Sequence, residues 1–493
     1  MSALAADGGE RGLFRQRVRD LVTRPPVTCA SSLSALEIAR RLARESVGSV
    51  IVLDTAGAPV GIVTDRDLRA RVVAEGRDPA ATPAATIMSA PLVILGPAAF
   101  AFEAALVMTR HRIRHVAVIE DGRLLGVVSS RDLLGLQAAH PVALARDIER
   151  AGSAEALAAL APRVTELVRR LVHEGGSAYD IGQIVAELND RVVVRVLDLT
   201  AAALAAAGQP APAARFCWLG FGSEARREQT LRTDQDNGLV YEDPDPDAAA
   251  ATAAFYARFA DAAIGMLVAA GFPPCPGDAM ASNPRWCQPL SVWAGYFRRW
   301  LDHPAPDEVL AACIYFDVRP LGGAAELAAP LQAIVRTEAG DRRVFLGLLA
   351  RDVVTRRVPR TALGNIAVAR RGPERGTVDV KGAGAVQLTG AARVHALELG
   401  LAYTNTIDRF RVAAERGMYT QAEAREISDA YQHLTRLRLV HQLERLAAGA
   451  PPDNRVSPGR LSRADALLFR DALGTVERVQ AGLRARFSTD LLG

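Results

Sequence analysis

The sequence predicts a multidomain α+β protein with a tandem pair of βαββα units, an α/β domain and a C-terminal helical bundle. Three observations predict it. The chain has 493 residues, which at the usual domain size of roughly 100–200 residues means three or four domains and not one core. Gly57, Gly61, Thr64, Arg66 and Asp67 return as Gly122, Gly126, Ser129, Arg131 and Asp132 at a constant offset of 65, the mark of an internal duplication. From about residue 335 onward Leu, Ala and Arg recur at helical spacing, as in Leu434, Leu437, Leu439 and Leu443, which reads as a bundle.

Composition narrows the function classes. Hydrophobic residues make up 49% and charged residues 23%, a globular and not a disordered balance. The longest apolar runs, such as 262–272, are shorter than the roughly 18–20 residues that span a bilayer, and residues 1–12 are too polar for a signal peptide. The expectation is a cytoplasmic protein with no membrane partner. Five cysteines without a Cys-x-x-Cys pair fit free thiols in a reducing compartment and offer no zinc framework. The net charge of +4 is dispersed, with Arg and Asp/Glu alternating, so no nucleic-acid partner is expected. Lys381 is the single lysine among the 59 Lys+Arg; it reflects either base composition or a position where arginine would not serve.

Each repeat reads as an amphipathic helix (33–45; 100–110), an apolar strand (50–53; 116–119), a Gly turn, a second strand (60–64; 125–129) and a new helix. Thr64 and Ser129 sit where strand becomes helix, and Asp67 and Asp132 follow within the first helical turn, so acceptors and free backbone N–H groups converge. N-capping explains part of this; the identical recurrence of Gly, hydroxyl, Arg and Asp asks for more. The pair resembles a tandem cystathionine-β-synthase (CBS) module, with repeats at 22–84 and 85–148. That resemblance implies an adenosine nucleotide (AMP, ADP or ATP) in the cleft between the repeats, its ribose held by Thr64 with Asp67 and by Ser129 with Asp132, and a homodimer formed through these domains. Such modules also occur with one site or none that binds.

Residues 149–208 carry helical periodicity in two stretches, with Leu157, Leu160, Val164, Leu167, Val168 and Leu171 before a Gly175-Gly176-Ser177 break and Ile181, Ile184, Val185, Leu188, Val192 and Val196 after it. A connector packing on the next domain is expected, with His173 and Asn189 as surface or satisfied polar groups.

The chemistry concentrates in the segment 209–330. Its start reads as strand (216–221), a Gly222-Ser223 turn, helix and strand, with Asp234 and Asp236 projecting to one face because strand side chains alternate. Adjacent carboxylates are costly unless a cation lies between them, so a divalent metal is the natural occupant. The Gly222-Ser223 turn offers backbone N–H groups to phosphate oxygens. A metal facing a phosphate cradle is the minimal equipment of nucleotidyl transfer; the alternative is two solvated aspartates on an edge strand. The run Gly222-Ser223-Glu224-x-Arg226-Arg227-Glu228-Gln229-Thr230 with Thr233-Asp234-Gln235-Asp236-Asn237 resembles the Gly-Ser … Asp-x-Asp signature of the polymerase-β-like nucleotidyltransferases. More closely it resembles the bacterial CBS-linked nucleotidyltransferase-like signal-transduction proteins, relatives of the PII-protein uridylyltransferase, over essentially the whole chain.

The resemblance implies Mg²⁺ or Mn²⁺ on Asp234 and Asp236, an NTP substrate, Gly222, Ser223, Arg226 and Lys381 at the nucleotide, and a third carboxylate, for which Asp317 in the apolar run 313–319 is the choice; pairing with Arg319 is its alternative. Glu228 reads as a partner for Arg226 or Arg232. Asn283, Arg285 and Trp286 either line the nucleotide pocket or belong to a structured loop with a buried Trp. The region 335–490 corresponds to the family's substrate-binding helical domain, broken at 451–458 before a last helical hairpin. Two departures are visible. Ala225 replaces a common Gly, which would strain a turn needing positive φ, and no His-Asp pair of the hydrolytic kind is present. The expected function is transfer of an NMP group, uridylyl or adenylyl, onto a protein acceptor such as a PII-like protein under control of the CBS pair. A non-catalytic nucleotide-sensing regulator is the rival reading, and an antibiotic-modifying transferase a weaker third.

Overall fold

The computed structural model describes residue 13 and residues 16–134, 141–231 and 234–491. Arg232 and Thr233 lie outside the described residues. The chain divides into two compact units, Met1–Arg146 with His173–Gly175, and Asp147–Val172 with Gly176–Gly493.

The first unit holds the duplication. Strands β1 (Thr28–Ala30), β2 (Ser49–Leu53) and β3 (Pro59–Thr64) form one sheet, and β4 (Ile94–Leu95), β5 (His115–Glu120) and β6 (Arg123–Ser129) form its copy. In each, the first strand is parallel and the third antiparallel to the middle one. Thr64 pairs with Ser49 and Ser129 with His115, so both hydroxyl residues end up beside the start of a middle strand. The helix Ala35–Glu45 begins at Ser34, whose side chain accepts the Glu37 N–H at 3.3 Å, and buries Ala35, Ile38 and Leu42 on one stripe.

In the second unit the connector forms the helices Ala161–His173 and Ala178–Ala206, separated at the Gly175-Gly176 break, with Ser177 capping the second. All six apolar positions read after the break are buried, and Asn189 is a buried, satisfied amide that donates to Gln229 Oε1 at 2.9 Å. The sheet runs β10-β7-β8-β9, from β7 (Phe216–Phe221), β8 (Asn237–Tyr241), β9 (Cys287–Pro289) and β10 (Val318–Gly323). β7 is apolar almost throughout and covered on both faces, so it shows no polar alternation.

Among the described residues one helix, Pro246–Ala269, is long and apolar enough by length and composition to cross a membrane, which the lengths of uninterrupted apolar runs did not reveal. Its Phe255, Tyr256, Phe259, Ala263, Ile264 and Leu267 are buried within the protein, and Phe259 meets Phe216 of β7 at 5.0 Å, the packing of a core helix.

The C-terminal region contributes the helices Arg343–Thr355, Val386–Glu398, Thr406–Glu415, Gln421–Ala447 and Arg463–Phe487, with a small ribbon of β11 (Val378–Asp379) and β12 (Arg455–Val456). One continuous apolar cluster runs from Cys217 and Phe221 of β7 through Trp293, Phe316 and Phe345 to Leu434 and Leu483, so sheet and bundle share a core. Two expectations are corrected. The last segment is a single long helix followed by a short 3₁₀ turn, not a hairpin. The run 313–319 is not one strand: the helix Pro306–Tyr315 occupies its first half and β10 starts at Val318. Apolar runs this short fit helix and strand equally well.

Candidate active site

The site begins where β7 ends. Phe221 donates its N–H to Asp236 O at 2.9 Å, which brings the turn after β7 against the approach to β8. Asp234 and Asp236 precede β8 and do not lie in it, yet the alternation holds. Gln235 and Asn237 are buried, Gln235 donating to Phe272 O at 3.0 Å and Asn237 accepting from Ala281 N at 2.9 Å, while the two aspartates are partly exposed on the opposite side. Gly222 has φ +53°, and a Cβ there would stand 3.1 Å from Asp236 Oδ2. Glycine is needed at this position both for its backbone and for its bareness.

Asp234, Asp236 and Cys275 offer ligand atoms all within 4.8 Å of one another. Two carboxylates and a thiol at this separation, beside a turn kept free of side chain, fit a divalent cation. Burial pushes the Asp236 carboxyl above its ordinary range, reinforced by Asp234 and opposed by the Cys275 hydrogen bond and by Lys381 and Arg226. Burial likewise pushes the Cys275 thiol up. Lys381, on the short helical segment after β11, lines the same cleft of about 210 Å³ as Gly222, Ser223, Arg226, Asp234 and Asp236. Burial and Arg438 lower its pKa, opposed by Asp234 and Asp236. Five of the residues predicted from sequence therefore surround one cleft with the lone lysine.

Asp317, expected as a third catalytic carboxylate, is a correction. It is fully buried, and its oxygens are held by three guanidiniums: Arg226 Nη1 at 2.7 Å, Arg393 Nη2 at 2.7 Å and Arg409 Nη2 at 2.6 Å. Although burial alone would raise it, these arginines hold its carboxyl far below the usual carboxylate range. Closed off from solvent and committed to three arginines, this carboxylate is not placed to serve a metal or a substrate proton; it positions Arg226 and Arg393, which line the cleft. Nor does it pair with Arg319, which forms a bidentate contact with Asp190 at 2.7 and 2.8 Å.

Arg226 is also bound by Glu228, Nε to Oε2 at 2.7 Å, one of the two partnerships read from the sequence, the other being with Arg232, outside the described residues. The other oxygen of Glu228 accepts from Thr406 N at 2.6 Å, placing an anion at the start of the helix Thr406–Glu415. Thr404 and Asn405 donate to the carbonyls of Ala225 and Arg226 at 3.0 and 3.1 Å, so the bundle grips the turn that carries Gly222. Ala225 is buried and helical, and the strain expected there is absent; the positive φ belongs to Arg227, at +56°. Asn283 and Trp286 belong to a structured loop, Asn283 accepting from Arg285 N at 2.9 Å and Trp286 buried beneath Arg285 at 4.6 Å. Sequence reasoning missed Cys275, Arg393, Tyr431 and Arg438 as cleft or ligand residues. Only Cys275 carried a signal, its place a few residues before Asn283, Arg285 and Trp286.

In the duplicated unit, Thr64 Oγ1 donates to Asp67 Oδ2 at 2.6 Å and Ser129 Oγ to Asp132 Oδ2 at 2.6 Å, each with the returning backbone bond of a capping box. The two copies then diverge. Asp67 also accepts from Ser89 Oγ at 3.2 Å and lies 3.7 Å from Arg71. Ser129 and Asp132 open onto a cleft of about 170 Å³, with Arg24, Asp65, Arg114 and His115 in its wall. Burial, aided by Arg114, pushes the His115 pKa down to about 4, against the pull of Asp65 and Asp132, so its ring is a neutral lining group at pH 7.

Family models match in the same arrangement. "Putative nucleotidyltransferase DUF294" covers residues 162–307, "Putative nucleotidyltransferase substrate binding domain" covers 343–487, and "CBS domain" covers 18–74 and 84–139. The chain belongs to the CBS-linked DUF294 nucleotidyltransferase-like family. The transferase model starts inside the connector, at residue 162. Individual relatives align over about a quarter of this family member. The CBS domain-containing protein YhcV of Bacillus subtilis is 32% identical over 116 residues, 24% of this chain and 81% of that protein. An uncharacterised protein of Methanopyrus kandleri is 31% identical over 121 residues, and the alignment spans 62% of its length. Among solved structures, a CBS domain protein from Pyrobaculum aerophilum complexed with AMP is 34% identical, covering 26% of this chain and 95% of that one, with a TM-score of 0.23.

Proposed function

We propose that the protein transfers an NMP group, uridylyl or adenylyl, from an NTP to a protein acceptor, PII-like by resemblance, and that an adenine nucleotide in the CBS pair sets the rate. The observation that carries this reading is the meeting of Asp234 and Asp236 with the bare Gly222 turn and Lys381 at one cleft. Asp234 and Asp236 would hold a divalent ion, supplied as Mg²⁺ or Mn²⁺, which neutralises charge developing on the transferring phosphate. Ser223 and the turn's backbone would orient the phosphates, and Lys381 and Arg226 add cations to the same cleft. The buried Asp317 with its three arginines keeps Arg226 aimed.

The open cleft at Ser129 and Asp132 supports an adenosine there, with His115 as a neutral wall. The five free cysteines suit the cytoplasm, and pairing of two chains through the CBS units remains part of the proposal.

The test is transfer from each α-labelled NTP into host-extract proteins, with divalent metal and with or without AMP or ATP. Asp234→Asn should lower transfer at least about 10³-fold, equivalent to about 4 kcal/mol of barrier, with an unchanged far-ultraviolet circular dichroism spectrum. Full activity in that variant would overturn the metal assignment, and nucleotide binding with no labelled product from any NTP would leave a regulator.

A further inference from the structure

The Asp234–Asp236 pair has a third neighbour that the transfer chemistry leaves unused. Cys275 Sγ lies with one carboxylate oxygen of each aspartate within 4.8 Å of one another, with its thiol in hydrogen-bonding contact with the Asp236 carboxylate. The loop that carries it is fastened to the approach to β8 by Gln235 N to Pro273 O at 3.1 Å and Asn237 N to Ala279 O at 3.0 Å. Thiol and carboxylates are thus held by one set of backbone bonds. Bound as a thiolate, the sulfur would bring the donor set to three negative charges. Lys381, Arg226 and Arg438, all on the cleft wall, supply cations to balance what a dication leaves over.

We infer that Cys275 is the third protein ligand of the ion held by Asp234 and Asp236, so that the site takes a thiophilic divalent ion, Zn²⁺ or Co²⁺ in class, in preference to Mg²⁺. Magnesium demands oxygen donors and binds sulfur poorly, whereas zinc and cobalt accept a mixed oxygen and thiolate set. The inference rests on the metal-dependent reading above and names the ion class of that site.

The test uses the full-length chain freed of metal by chelation, without nucleotide. Co²⁺ or Cd²⁺ is titrated in while thiolate-to-metal charge-transfer absorption is followed. Wild type should show a saturating band at one ion per chain. Cys275→Ser should lose the band and bind Cd²⁺ at least about tenfold more weakly, the lower end of what changes around a metal site cost. Asp234→Asn should lose the band with its thiols intact. Metal should also protect Cys275 in the wild type from alkylation, read by peptide mass spectrometry, which needs no variant to fold. A band unchanged in Cys275→Ser, or wild-type ion binding that is abolished by Asp234→Asn yet gives no thiolate band, would overturn the inference. Mg²⁺-supported transfer without any such band would sink the cysteine's role and leave the transferase standing. A Cys275-dependent band with no transfer would uphold the ligand set and count against the enzyme.

Discussion

Loss of Asp317 should weaken the protein strongly. Replacing it with Asn leaves Arg226, Arg393 and Arg409 buried without their shared counter-charge, which costs about 3–5 kcal/mol and is measurable as a lower denaturant midpoint. Glu224 gives a pH signature. It is buried beside Asp190 and Asp236, and burial pushes its pKa up to about 8. The folded state therefore holds this proton where the unfolded chain, near pH 4.3, has released it. Stability falls as pH rises from there to about 8. Glu224→Gln should remove that slope and gain at least about 1 kcal/mol at pH 8, read from unfolding curves at pH 5 and pH 8. Gly222 and Ala225 separate two kinds of sequence evidence. Gly222→Ala meets both a left-handed backbone and the Asp236 carboxylate and should cost about 1–3 kcal/mol along with most activity. Ala225→Gly loosens a helical residue, costs about 0.5–1 kcal/mol and restores nothing. The Gly-Ser … Asp-x-Asp pattern was legible because local spacing creates it. Asp317's role was not, since Arg393 and Arg409 lie 76 and 92 positions away and no local pattern pairs them with it.

At the scale of elements, what repeats or alternates was readable. The offset of 65 predicted two equal sheets with Thr64 and Ser129 at matching ends, and the register of both agrees. Helical spacing located the long helix Ala178–Ala206, and the Gly175-Gly176-Ser177 break marked where the preceding helix ends; Ser177 proves to cap the second helix. The failures come from short apolar runs, where a strand was expected at 313–319 and a helix fills half of it. The divergence of the two capping boxes was also hidden, because Ser89 closes Asp67 from 22 residues away. The grip of Thr404, Asn405 and Thr406 on the turn after Gly222 joins elements nearly 180 residues apart, beyond any periodicity.

For the whole molecule, the family's two transferase-associated segments share one apolar cluster from β7 to the last helix. Residues 209–330 expressed alone should expose that surface and fail to unfold cooperatively, whereas residues 147–493 should melt as one transition by calorimetry; two separated transitions in the longer piece would contradict a common core. The wide spacing of the site along the chain has a consequence during synthesis. Asp234 and Asp236 leave the ribosome about 150 residues before Lys381 and about 200 before Arg438. At roughly 5–20 residues per second, that is an interval on the order of 10–40 s. Until Lys381 emerges, the carboxylates have Arg226 beside them but neither that lysine nor Arg438, which share their cleft. A chain truncated before Lys381 carries the signature without the completed cleft, so the transfer proposed above should not begin from so short a copy.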